Sequence, residues 1–105
     1  MKFNTGDYKL SMFTENECED CFKLKDILKN NNISFSNNNN RWDFIDAERE
    51  NNGFNWFTPV LIIEDSEGKT TYIPSVQGTV NCDDGLCMND VTSENVLKVL
   101  KPFLV

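Results

Sequence analysis

Two cysteines separated by two residues, Cys18-Glu19-Asp20-Cys21, sit where an extended segment gives way to a helical one. That junction constrains the fold more than any other stretch. The run Tyr8-Lys9-Leu10-Ser11-Met12-Phe13 reads as a half-buried strand leading in. From Glu19 onward, Cys21, Leu24, Ile27, Leu28 and Asn31 recur at helical spacing, with Lys23, Lys25, Asp26 and Lys29 on the other side. Cys18 therefore belongs to the end of a strand-to-helix loop, and Cys21 to the first helical turn. Unpaired amide groups at a helix N-terminus favour a thiolate, which marks a redox pair and not a packing pair.

The chain of 105 residues is long enough for one domain, spanning 1–105, with a modest core, and too short for two. It contains no histidine, so the usual general base, histidine-containing zinc sites and Cys–His nucleophile pairs are all absent. A formal charge of −7 argues against nucleic acid or an anionic membrane as a partner. The first residues, Met1-Lys2-Phe3-Asn4-Thr5-Gly6, carry no apolar signal core. No segment approaches the roughly 20 apolar residues of a membrane span. The expectation is a soluble cytoplasmic protein, a setting in which a CxxC pair is catalytic or metal-binding more often than it is a staple.

The remainder alternates. The asparagine tracts Asn30–Asn32 and Asn37–Asn40 predict a helix stop near Asn31 and a loose connection around Asn37–Asn40. A second strand is expected between Ile33 and Asp46. Trp42-Asp43-Phe44-Ile45 alternates better than Ile33–Ser36, although either could pair. Asp46 is a cap for a short helix over Ala47–Glu50, ended by Asn51-Asn52-Gly53. After Phe54, Trp56 and Phe57 crowd up to Thr58-Pro59, Val60–Ile63 has the continuous apolar character of a central strand. Asp65–Lys69 predicts a hairpin turn, and Thr70–Ile73 the antiparallel return. A long loop from Pro74 to Asp90 carries Cys82 and Cys87. Thr92 or Ser93 then caps a last helix with Val96, Val99, Leu100 and Phe103 on one face, its length limited by Pro102.

The resulting order is β-α-β-α-β-β-α, an α/β chain with a cysteine pair after the first strand and a proline opening the third. With Phe13-Thr14, Cys18-Glu19-Asp20-Cys21, Thr58-Pro59-Val60 and Asn81-Cys82-Asp83-Asp84 in place, the chain resembles the thioredoxin superfamily, and within it the glutaredoxin-like branch. The resemblance runs from about Tyr8 to Leu104. It implies a thioredoxin fold: a central mixed four-stranded sheet flanked by helices, in a monomer. It also implies a thiol–disulfide oxidoreductase serving electron transport, with no tightly bound cofactor. Glutathione or a thioredoxin-reductase-type system would be the reductant, and a protein disulfide, such as that of ribonucleotide reductase, the substrate. Pro59 matches the family's cis proline facing the cysteines, which leaves the Thr58 backbone free for an extended substrate or glutathione. Asp83 and Asp84 match the pair that holds the glutathione amino end.

In chemical terms, Cys18 is the attacking thiolate and Cys21 the resolving thiol. Three departures from the family qualify this. Glu19-Asp20 replaces the usual Pro-Tyr between the cysteines. Glu15 stands where a lysine often pairs with a glutathione carboxylate. Val80-Asn81 replaces a glycine pair ahead of Cys82. Glu15, Glu17, Glu19 and Asp20 ring Cys18 with like charge that opposes the thiolate, while the helix end favours it. Such a rim is expected to bind anionic glutathione poorly and to make the dithiol a better reductant. Alternative readings are a four-cysteine zinc module formed by Cys18, Cys21, Cys82 and Cys87, or a non-catalytic thioredoxin-fold adaptor docking through its acidic face. Cys82 and Cys87 are read either as a local disulfide pinning their loop or as a second thiol pair beside the site.

Overall fold

Strand β1 (Lys9–Phe13) ends at the residues that lead to the cysteines, and everything else is arranged around it. The computed structural model describes residues 8–50, 56–76, 87–88 and 90–103. Helix α1 (Glu19–Asn30) follows β1, then strand β2 (Ser36–Asn38), helix α2 (Arg41–Glu50), strands β3 (Phe57–Glu64) and β4 (Thr70–Ser75), and helix α3 (Ser93–Leu100). A short 3-10 turn over Lys101–Phe103 closes the described chain, as Pro102 requires. The four strands form one mixed sheet in the order β2-β1-β3-β4. β1 is parallel to β2 and antiparallel to β3, and β4 is antiparallel to β3. Among the described residues no helix is long and apolar enough to cross a membrane.

Strand alternation divides the core in two. Leu10 and Met12 of β1, paired with Ile63 and Leu61 of β3, face α1 and α3 and join Leu24, Leu28, Ile73, Val96, Val99 and Leu100. Phe13, Val60 and Ile62 point to the opposite face, where Ala47 and Phe44 of α2 cover them. The strand Val60–Ile63 is thus sandwiched, which accounts for its unbroken apolar run. Leu24 and Leu28 are fully buried, so truncating either to alanine would cost about 2–5 kcal/mol.

The end of α1 shows why its asparagines are there. Asn32 takes a left-handed φ of 57°, which asparagine tolerates better than most residues. The Ile33 amide donates to the Leu28 carbonyl at 2.9 Å, and the Asn32 amide to Lys29 at 3.1 Å. This is the Schellman pattern, completed by burial of Ile33 and Leu28 in the same cluster.

The region between α1 and β3 departs from expectation. Trp42–Ile45 is helical, not a strand, and α2 starts five residues before Asp46. Asn40 is the reason: its Oδ1 accepts from the amides of Trp42 at 2.9 Å and Asp43 at 3.2 Å, capping the helix. Asp46 therefore lies inside α2, exposed, and caps nothing. Phe44 and Ala47, three residues apart, supply the buried stripe. The pairing role falls to Ser36–Asn38, a short edge strand that takes in half of the tract expected to be a loose connection. Asn51-Asn52-Gly53 lies outside the described residues.

The hairpin after β3 forms as expected. Asp65 Oδ1 accepts from the amides of Glu67 and Lys69, and Gly68 supplies the positive φ of 85°. β4 runs two residues further than Thr70–Ile73, through Pro74 and Ser75. Met88 bridges Ser75 there, its amide donating to Pro74 and its carbonyl accepting from Val76. Thr92 caps α3 by accepting from the Asn95 amide.

Candidate functional site

The site lies at the C-terminal end of β1. Thr14 anchors the loop that leaves it: its amide donates to the Asn38 carbonyl at 2.9 Å and its buried hydroxyl to Asn37 Oδ1 at 2.6 Å. Glu17 then turns the chain through a left-handed φ of 60°, a conformation that costs a residue other than glycine roughly 1–2 kcal/mol. Beyond that turn, Cys18 adopts extended angles and becomes the N-cap of α1.

Cys18 and Cys21 are joined by a disulfide, with their Cα atoms 5.2 Å apart. Cys21 is 2 % exposed, packed beneath the first turn, whereas Cys18 is partly open to solvent. The Cys21 amide donates to Cys18 Sγ at 3.1 Å. One of the orphan amides of the helix end is thus aimed at this sulfur, the geometry that stabilises a thiolate once the bond is reduced. Glu19 and Asp20 occupy the first turn, where carboxylates complement the helix end, and Asp20 pairs with Lys23 at 3.7 Å.

Thr58-Pro59 faces the pair from β3, with the peptide bond between them cis. Cys18 Sγ is 3.6 Å from the Thr58 hydroxyl and 3.8 Å from the Thr58 carbonyl oxygen. A disulfide sulfur has no proton to give, so in this state only the hydroxyl can donate. The sheet register explains how this segment reaches the cysteines. Phe57 pairs with Ser75 and Leu61 with Ile73, so four steps along β3 match two along β4. The surplus bulges the strand at Thr58–Val60, just past the last β1 pairing at Phe13 and Val60. Within this shifted stretch the buried Ser75 hydroxyl donates to the Pro59 carbonyl at 2.7 Å.

A cleft of about 330 Å³ opens beside Thr58, lined by Glu15, Asp20, Trp56, Phe57, Thr58 and, across from them, Ser75, Val76, Asp90 and Val91. Phe57 is 43 % exposed at its mouth. The Trp56 amide is held by Glu48 of α2 at 3.0 Å, and its ring leans on Tyr72. A second cavity of similar size lies on the α2 face, among Asp43, Asp46, Glu50, Glu64 and Tyr72, away from the cysteines. Burial, and then the charges of Glu50 and Glu64, hold the Tyr72 hydroxyl above the usual tyrosine range. Among the described residues no three acidic or sulfur side chains converge to hold a metal ion.

Of the residues singled out from the sequence, Cys18, Cys21, Thr58 and Pro59 come together here, with Glu15 and Asp20 on the rim. Cys82, Asp83 and Asp84 lie outside the described residues. Cys87 is buried and disulfide-bonded, next to the Met88 bridge that extends the sheet edge. Sequence reasoning missed Ser75, Val76, Asp90 and Val91. Only their position around the bulge assigns them to the cleft, and no local pattern announces that. Comparison of the chain with family models, with curated proteins and with solved structures finds no match.

Proposed function

We propose that the chain is a thiol–disulfide oxidoreductase of glutaredoxin-like, thioredoxin-type fold that reduces protein disulfides through Cys18 and Cys21. One observation carries the reading. A half-exposed sulfur at a helix N-cap receives a helix-end amide, bonds to a buried partner one turn on, and faces a Thr-cis-Pro segment. The β-α-β-α-β-β-α order and the mixed four-stranded sheet are those that the family resemblance calls for. The disulfide also favours this over a zinc module, because zinc is held by separate thiolates.

In the reduced form, the Cys18 thiolate attacks one sulfur of the substrate disulfide. A Cys18–substrate disulfide forms and the other substrate sulfur leaves as a thiolate, which takes up a proton from solvent. Cys21, deprotonated, then attacks Cys18 Sγ; the mixed disulfide breaks and the second substrate thiolate departs. Two electrons pass from the Cys18/Cys21 dithiol to the substrate, leaving the Cys18–Cys21 disulfide described above. A reductant, either two thiols of the glutathione class or a flavoprotein reductase of the thioredoxin-reductase type, restores the dithiol. Thr58 is placed to donate its hydroxyl to the attacking sulfur, and its backbone to align an extended chain. The proposed setting is the cytoplasm, and the proposed form a monomer with no bound cofactor. Ribonucleotide reductase is a client that the family resemblance suggests.

The test is reduction of a protein disulfide by dithiol-loaded protein and its Cys18→Ser and Cys21→Ser variants. Cys18→Ser is expected to abolish turnover, and Cys21→Ser to accumulate a mixed disulfide that mass spectrometry detects. Equal trapping by both single variants would remove the assignment of roles, and no turnover by the unmodified chain would remove the function.

A further inference from the structure

The cleft beside Cys18 has a composition that the chemistry of the cysteines does not require. Thr58 contributes to the cleft and also touches Cys18 Sγ, so a group seated in it lies about one residue from a sulfur under attack. Among the described residues that line it, Glu15, Asp20 and Asp90 are carboxylates and none is a cation. Asp20 is offset in part by Lys23, with both side chains half exposed, an arrangement that solvent weakens. Among the described residues Glu15 and Asp90 have no cationic partner. Trp56 and Phe57 also line it, and Phe57 is 43 % exposed.

Resting on the oxidoreductase reading, we propose that this cleft is a specificity subsite for a cationic side chain, arginine above all, adjacent to the disulfide cysteine of a polypeptide substrate. Carboxylates placed beside aromatic rings match a guanidinium, which donates forked hydrogen bonds from its edge and stacks through its face. A glutathione molecule presents carboxylates to the same walls and is disfavoured by like charge. A second copy of this chain, with its net charge of −7, is also a poor occupant. The substrate class is therefore a basic segment bearing a disulfide, and not the small anionic thiol.

The probes are short cysteine peptides carried as mixed disulfides with a chromogenic thiol, having arginine, glutamine or glutamate beside the cysteine. Each rate is normalised to reduction of the same peptide by free dithiothreitol, which removes intrinsic differences in reactivity. One charge-assisted contact retained in the transition state predicts kcat/KM about tenfold higher for the arginine peptide than for the glutamine peptide, with the glutamate peptide slowest. In the Glu15→Gln/Asp90→Asn variant the three normalised rates should converge. Equal normalised rates in the unmodified chain, or a preference that survives in the variant, overturn the subsite while leaving the reductase standing. If none of the peptides is reduced, the oxidoreductase reading fails and binding decides the subsite separately. A Trp42→Phe variant leaves Trp56 as the only tryptophan, and its emission is titrated with cysteine-free arginine and glutamine peptides. A saturable response to arginine alone upholds the cleft, and no response overturns it.

Discussion

Ser75→Ala removes one oxygen and tests how the bulge that brings Thr58 to the cysteines is held. The Ser75 hydroxyl is buried and donates at 2.7 Å to the Pro59 carbonyl, inside the stretch where β3 and β4 shift register. Pro59 is itself fully buried, so water does not readily replace the lost donor. A net hydrogen bond is worth about 1 kcal/mol, and an acceptor left buried and unpaired costs about 1–3 kcal/mol. The expected destabilisation is therefore about 2 kcal/mol. At about 4–8 °C per kcal/mol for a domain near this size, Tm should fall by roughly 10 °C. Urea unfolding of the oxidised protein measures the difference directly, with a Thr58→Ala control that leaves this hydrogen bond in place. A change under about 0.5 kcal/mol, within the range of an ordinary surface substitution, would refute the reasoning. It would mean that the bulge keeps its shape without Ser75.

Two further outcomes follow from the surroundings of the cysteines. Replacing Glu15 and Glu17 together by lysine should move the midpoint of iodoacetamide alkylation of Cys18 to lower pH, because like charge near the thiolate is replaced by opposite charge. The gain near neutral pH is expected to be roughly two- to fivefold at low salt, the scale of exposed charge pairs. An unchanged midpoint would show that both side chains are screened in bulk water. The Cys82→Ser/Cys87→Ser variant should keep most reductase activity and lose about 2–4 kcal/mol of stability under oxidising conditions, since Cys87 is buried and disulfide-bonded beside the Met88 bridge. Loss of turnover at unchanged Tm would instead put the second pair in the catalytic cycle.

The elements with one dominant signal were legible in the sequence. β1, α1, β3, the Asp65–Lys69 hairpin and α3 each announce themselves through period, caps or turn residues. The failures cluster between Asn37 and Asp46, for a local reason. Asparagine is turn-former, cap and αL residue at once, and a run of four does not say which asparagine does what. Asn37 accepts from Thr14, Asn38 joins the sheet edge, and Asn40 caps α2. These assignments depend on where Thr14 and Phe13 lie, which is tertiary information. The same helix start turned the alternating Trp42–Ile45 into a helical stretch with Trp42 facing solvent, 74 % exposed. At the site, the cysteines and Thr58-Pro59 were visible because each is a compact local pattern. The cleft was not, because it is assembled from four separated segments around a register shift.

The acidic rim and the helix end act on Cys18 in opposite senses, and their magnitudes decide which prevails. The Cys21 amide reaches the sulfur at 3.1 Å in a partly buried setting. A hydrogen bond to a charged acceptor of this kind contributes about 1.5–3 kcal/mol. Glu15, Glu17 and Glu19 are exposed, and charges of that sort contribute between about 0 and 1 kcal/mol each, less as salt rises. The helix end is therefore at least comparable to the rim at low salt and outweighs it as salt screens the exposed carboxylates, which under the proposed function favours the attacking thiolate. What the rim changes more is the encounter. A like-charged thiol meets repulsion before it reaches the sulfur, whereas a basic polypeptide is drawn in and finds Glu15 and Asp90 without competing cations among the described residues. Salt should therefore slow reduction of a basic substrate and speed reduction of an anionic one, converging the two rates. The nucleophile's own alkylation by a neutral reagent should change far less, because the contact that governs it is short and half sheltered.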